Sequence, residues 1–132
     1  AIAGEAPMGI TLGIRRSVAK GTNQYAVEFQ KSCDLMASTR PTAVNLFWAI
    51  DRMKRTFAEG AQAGESTDEL TSRLAREARS IHDEDVASCR AMGGFGATLV
   101  PDGARVLTHC NAGALATAGY GSPTSAPNHS LP

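Results

Sequence analysis

The chain has 132 residues, room for one ordinary domain and too few for two large ones. Thirteen basic residues balance thirteen acidic ones, so no excess of charge points to nucleic acid or to a membrane surface. An apolar share of 42% beside 20% charged residues excludes a disordered chain.

The three cysteines, Cys33, Cys89 and Cys110, are odd in number and far apart. They form neither a disulfide framework nor a C-x-x-C metal site, which favours a reducing, cytoplasmic compartment. No run approaches the ~18 apolar residues of a membrane span. The opening AIAGEAPMGI lacks the basic start of a signal peptide. It also lacks an initiating Met, and a chain that begins inside a domain is the expectation.

Residues 1–18 are small and apolar, with Gly4, Gly9 and Gly13 about one turn apart, the pattern of a buried helix closely approached by its neighbours. Lys20–Asn23 is a connector. Tyr25, Phe29 and Cys33 then form a helical stripe over 23–36, which makes Cys33 a core residue. Ser38-Thr39-Arg40-Pro41 predicts a new helix start, with Pro41 in the first turn. Its apolar positions are Ala43, Leu46, Phe47, Ile50, Met53 and Phe57, and Gly60 is expected to end it. Ser66-Thr-Asp-Glu69 reads as a capping box opening a helix with Leu70, Leu74, Ala78 and Ile81 on one face. Glu69–Arg73 and Arg73–Glu77 have the spacing of ion pairs along it. The run His82-Asp-Glu-Asp85 reads as a solvated face rather than a metal site, and Gly93, Gly94 and Gly96 weaken the helix end.

After a turn at Pro101-Asp-Gly103, the run Arg105–His109 predicts a short strand, and Gly113–Ala118 the opening of a helix. Cys110 stands at that strand-to-helix junction, where ligands bind in open α/β sheets and where a helix N-terminus lowers a thiol's pKa. The alternative is an inert buried cysteine. Asn111-Ala112-Gly113 forms a possible anion cradle. Arg40, at a helix start, offers a guanidinium fork beside free backbone donors, which suits a phosphate. His109 is adjacent to Cys110, but neighbouring strand residues point to opposite faces, so a Cys–His nucleophilic pair is disfavoured. The stretch 122–132, with three prolines, reads as an unstructured tail.

Two stretches together, RPTAVNLFWAIDRM at 40–53 and PDGARVLTHCNAGALATAGYG at 101–121, closely resemble the S-methyl-5-thioribose-1-phosphate isomerases of methionine salvage. HDEDVASCRAMGGFGA at 82–97 is similar to the family's long helix. That family is grouped with the alpha, beta and delta subunits of translation initiation factor 2B and with the ribose-1,5-bisphosphate isomerases.

The resemblance implies an aldose–ketose isomerase for a sugar already phosphorylated at its anomeric carbon, working without metal or nucleotide cofactor. It places Cys110 at the reacting carbons and Arg40 on the phosphate, with Asn111 and Gly113 orienting groups around them. It further implies a homodimer, and a catalytic aspartate beyond residue 132. The fold it implies is α+β and mostly helical. A helical domain over 1–100 would be followed by the first strand-turn-helix of a truncated Rossmann-like domain over 101–121. Outside it lies the foreign tail 122–132. A regulatory subunit of the initiation-factor type, which binds without turnover, is the alternative, as is a ribose-1,5-bisphosphate isomerase. The fragment alone is expected to be inactive.

Overall fold

The computed structural model describes residues 2–16, 21–107 and 117–119. Four helices occupy them: α1 (Ile2–Arg15), α2 (Thr22–Thr39), α3 (Val44–Gln62) and α4 (Thr67–Ala97). Helix α1 lies against the other three, and α3 packs along α4.

The small residues of α1 allow this central position. A Cβ on Gly9 would stand 2.8 Å from the Met36 side chain, and one on Gly13 would stand 3.1 Å from Ser32 Oγ. The expected close approach is therefore real, and α2 makes it. Pro7 lies inside α1, fully buried, and its carbonyl accepts the Thr11 hydroxyl at 2.8 Å.

The core is built from the predicted stripes. Ile10 and Ile14 of α1 meet Tyr25, Phe29 and Cys33 of α2, Leu46, Ile50 and Met53 of α3, and Leu70, Leu74, Ala78 and Ile81 of α4. Phe57 closes one side, stacking on Phe29 at 4.4 Å between ring centroids. The Tyr25 hydroxyl reaches Thr71 Oγ1 at 2.6 Å; Thr71 in turn donates to the Thr67 carbonyl, so Tyr25 is the donor. Phe47 departs from expectation. It sits on the flank of the α3 stripe and is exposed, while Ala49 and Thr56 take inner positions the sequence pattern left out.

Several boundaries differ from the sequence reading. Helix α2 continues to Thr39, and α3 begins at Val44 rather than at Pro41, because Pro41 and Thr42 form the turn between them. Gly60 does not end α3. Its carbonyl accepts the Glu65 N–H at 3.0 Å while Gly64 N–H bonds Ala61, the two bonds of a Schellman ending. Gly64, at φ +74°, takes the left-handed position. The capping box at Ser66 is present in both directions. Glu69 is committed to it, Arg73 reaches back to Glu65, and Glu77 pairs with Arg52; neither predicted ion pair along α4 forms.

Among the described residues there is no strand. The turn at Pro101 is present, closed by Ala104 N–H on the Pro101 carbonyl with Gly103 at φ +74°. Arg105–Leu107, the first part of the predicted strand, runs irregular and exposed. A strand is defined by a paired neighbour, and no described segment supplies one. Thr117–Gly119 form a bend whose Ala118 N–H donates to the Asp85 side chain, while residues 113–116, the rest of the expected helix opening, lie outside the described residues. The tail 122–132 lies outside the described residues.

Candidate functional site

Arg40 is placed at the junction of α2 and α3. It leaves α2 with φ −148° and ψ 80°, outside the helical region that a following proline disfavours. Its carbonyl accepts the Ala43 N–H at 3.1 Å, which folds the two-residue turn onto the start of α3. Ser38 and Thr39, read as flanking a helix start, instead end one: their hydroxyls donate to the carbonyls of Leu35 and Met36. Arg40 is exposed, and Ala43 gives α3 no side-chain cap. The first two N–H groups of α3, on Val44 and Asn45, thus have no cap from Ala43, whose carbonyl takes the next N–H, that of Leu46, at 3.0 Å. Cys110, Asn111 and Gly113 lie outside the described residues.

Beside that helix start, α3 and α4 enclose a groove of about 350 Å³ lined by Asn45, Trp48, Ile81, Glu84, Asp85 and Ser88. Its wall is held by Arg52, which lies against the Trp48 ring at 5.5 Å and donates to both oxygens of Glu84, at 2.5 and 2.8 Å. Arg52 also bonds Glu77, and Ser80 adds a 2.9 Å bond to Glu84. The Arg52 hydrogen bonds, then that of Ser80, hold the Glu84 carboxyl down to about 2. With Glu84 so neutralised by Arg52, Asp85 is the remaining acid in the groove. That acid makes the groove a poor place for an anion.

The acidic run is therefore only partly the solvated face expected. Asp85 Oδ2 accepts the Ala118 N–H at 2.7 Å, and Cys89, buried one turn on, meets the Thr117 side chain. The signal was present in the sequence. The stripe Leu70, Leu74, Ala78, Ile81 continues through Asp85 to Cys89, and a carboxylate on a buried stripe asks for a partner. Cys33 and Cys89 are both free and buried, and burial pushes the Cys33 thiol up to about 11. Among the described residues no three His, Cys, Asp or Glu side chains converge as metal ligands.

The model of the initiation factor 2 subunit family matches residues 1–120. The chain belongs to that family. Similar proteins include the methylthioribose-1-phosphate isomerases of Geobacter metallireducens, 53% identical over 121 residues, and of Geobacter sulfurreducens, 51% identical. Each match covers 92% of this chain and 34% of the relative. The chain spans about a third of the length of these curated relatives. Two solved structures share the fold. The 5-methylthioribose 1-phosphate isomerase of Pyrococcus horikoshii OT3 superposes with a TM-score of 0.84 at 39% identity, over 97% of this chain and 36% of that one. The delta subunit of translation initiation factor eIF-2B from A. fulgidus gives 0.75 at 40% identity, over 91% and 34%.

Proposed function

We propose that this chain is the portion of a methylthioribose-1-phosphate isomerase that supplies a phosphate contact and the reactive cysteine. The observation that supports this most is its 53% identity, over 92% of the chain, to a relative of that name. The substrate's anomeric oxygen carries phosphate, so no free aldehyde forms by simple ring opening. In the isomerisation, the C1–O4 bond breaks and O4 takes a proton. Hydrogen leaves C2 and arrives at C1, while the C2 hydroxyl loses its proton to become the ketone. The redox change is internal, and no cofactor or metal is required.

Arg40 binds the phosphate together with the uncapped start of α3. Cys110 acts as thiol or thiolate at the reacting carbons, with Asn111 and the Gly113 backbone orienting the oxygens. The complete protein works as a cytoplasmic homodimer. No helix among the described residues is long and apolar enough to cross a membrane.

A chimera tests this: residues 1–121 replace the matching third of the Geobacter metallireducens enzyme. The expected result is turnover of methylthioribose 1-phosphate by the chimera and none by the 132-residue chain alone. In the chimera, Cys110→Ala removes most of kcat while substrate still binds. Arg40→Ala raises the substrate dissociation constant roughly 10- to 150-fold, the factor for losing a contact of about 1.5–3 kcal/mol to a charged group. A folded chimera that binds the sugar phosphate without turnover overturns the isomerase in favour of a regulatory subunit. The likeness to the eIF-2B delta subunit supports that second reading.

A further inference from the structure

We propose that Asp85 is a positioning residue for the cysteine motif, anchoring the chain just beyond it to the helical unit; the catalytic half of this statement rests on the reading of Cys110 above. Three independent features converge on Thr117 and Ala118. The Asp85 carboxylate accepts the Ala118 N–H at 2.7 Å across 33 residues of sequence. Gly4 of α1 leaves the space that Ala118 fills: a Cβ at position 4 would stand 2.9 Å from the Ala118 Cβ and 3.4 Å from His82 Cδ2. Cys89, only 2% exposed, is in hydrogen-bond contact with the Thr117 side chain.

An acceptor, a recess and a buried contact from two different helices therefore take hold of one short bend. Solvating the helix surface requires none of the three. Ala118 follows Cys110 by eight residues, and of the seven between them, Asn-Ala-Gly-Ala-Leu-Ala-Thr, only Asn111 and Thr117 carry polar side chains, the latter already turned to Cys89. A motif built of such residues has few polar side chains with which to fix itself, and an outside anchor compensates.

Amide hydrogen exchange and thiol alkylation on the 132-residue chain test the anchor without any assay of isomerisation. In Asp85→Ala, the Ala118 amide is expected to exchange on the order of ten- to a hundredfold faster, the factor for losing one hydrogen bond to a charged acceptor. The amides of Ala78 and Ile81 keep their rates, which separates loss of the anchor from loss of the fold. Asp85→Asn, which retains an acceptor oxygen, restores most of the protection. Gly4→Ala gives a second route, since it favours helix in α1 yet crowds Ala118, and it too accelerates Ala118 exchange.

The second readout is the pH dependence of Cys110 alkylation by iodoacetamide, followed peptide by peptide. The wild-type midpoint is expected below the free-thiol value of about 8.5; Asp85→Ala moves it toward that value, and Asp85→Asn does not. Unchanged Ala118 exchange in Asp85→Ala overturns the anchor. A lowered Cys110 midpoint that Asp85→Ala leaves in place overturns the positioning role. A wild-type midpoint already at the free-thiol value overturns the reactive-cysteine reading and with it the positioning role, while the exchange result still decides the anchor.

Discussion

Arg52 illustrates how one residue couples two helices through charge. Its guanidinium holds Glu77 and Glu84 on α4 while its flat face meets Trp48 on its own helix. Glu84 has its carboxyl depressed from 4.5 to about 2, chiefly by the Arg52 hydrogen bonds. A carboxyl lowered in the folded state adds stability that is present above its unfolded pKa and is lost as pH falls through the folded one. The loss therefore falls between pH 4.5 and about 2. Glu84 is 52% exposed, so solvent screening limits its share to about 1 kcal/mol or less. Urea denaturation at pH 6 and pH 2.5 is expected to show a smaller acid loss in Glu84→Gln than in the parent; equal losses would assign the acid sensitivity to other carboxylates. Cys33 gives a complementary expectation. Its thiol is buried and pushed up to about 11, so iodoacetamide at neutral pH leaves it unmodified until the protein unfolds.

The junction between α3 and α4 is where an element boundary depends on packing rather than on local sequence. Gly60 and Gly64 both stand near the end of α3, and a glycine at either place suits a helix ending. Tertiary structure assigns the roles. A Cβ on Gly60 would lie 2.6 Å from Leu70 Cδ2 and 2.7 Å from Glu65 Oε2, whereas nothing crowds Gly64, which takes the positive φ. Gly60→Ala is thus expected to destabilise. Overpacking costs about 1–3 kcal/mol against a helix-propensity gain of about 0.5–1 kcal/mol. Ser66→Ala, which opens the capping box, is expected to cost about 0.5–2 kcal/mol. Denaturant midpoints of the two variants test both values, and a stabilised Gly60→Ala would show that Leu70 moves aside freely.

The same contrast explains what was legible in the sequence. Ser66-x-x-Glu69 and the stripes of α2 and α4 carry their signals within a few residues, and each was readable. The start of α3 has no capping side chain, so Arg-Pro suggests a helix three residues too early, at Pro41 instead of Val44. Arg40 is singled out in the sequence by a helix start at Arg-Pro, whereas α3 begins four residues on, at Val44. Asp85 shows in the sequence only as a carboxylate on a buried stripe; its partner Ala118 is 33 residues away, and only the folded chain brings them together.

At the scale of the whole molecule, α1 is the element on which the others converge. Ile10 is fully buried in the core that α1 shares with the other three helices. Ile10→Ala is expected to cost about 2–5 kcal/mol, a large share of a domain's total stability. All four helices should then lose protection together; selective fraying of α1 would show that the core survives without it. Phe95, Leu99 and Leu107 are left exposed along the end of α4 and the segment after it.

The pairing of α1 with α4 joins the first and last helices among the described residues, with α2 and α3 between them in sequence. On the ribosome, this arrangement imposes a wait. Leu74, Ala78 and Ile81 leave the ribosome long after Ile10 and Ile14, by roughly 3–14 s at about 5–20 residues per second. Throughout that interval the nascent chain holds α1 with one face uncovered, dependent on α2 and α3 for partial shelter. A pause in translation before α4 emerges lengthens the exposure, and a trigger-factor-like holdase has its best opportunity at that moment.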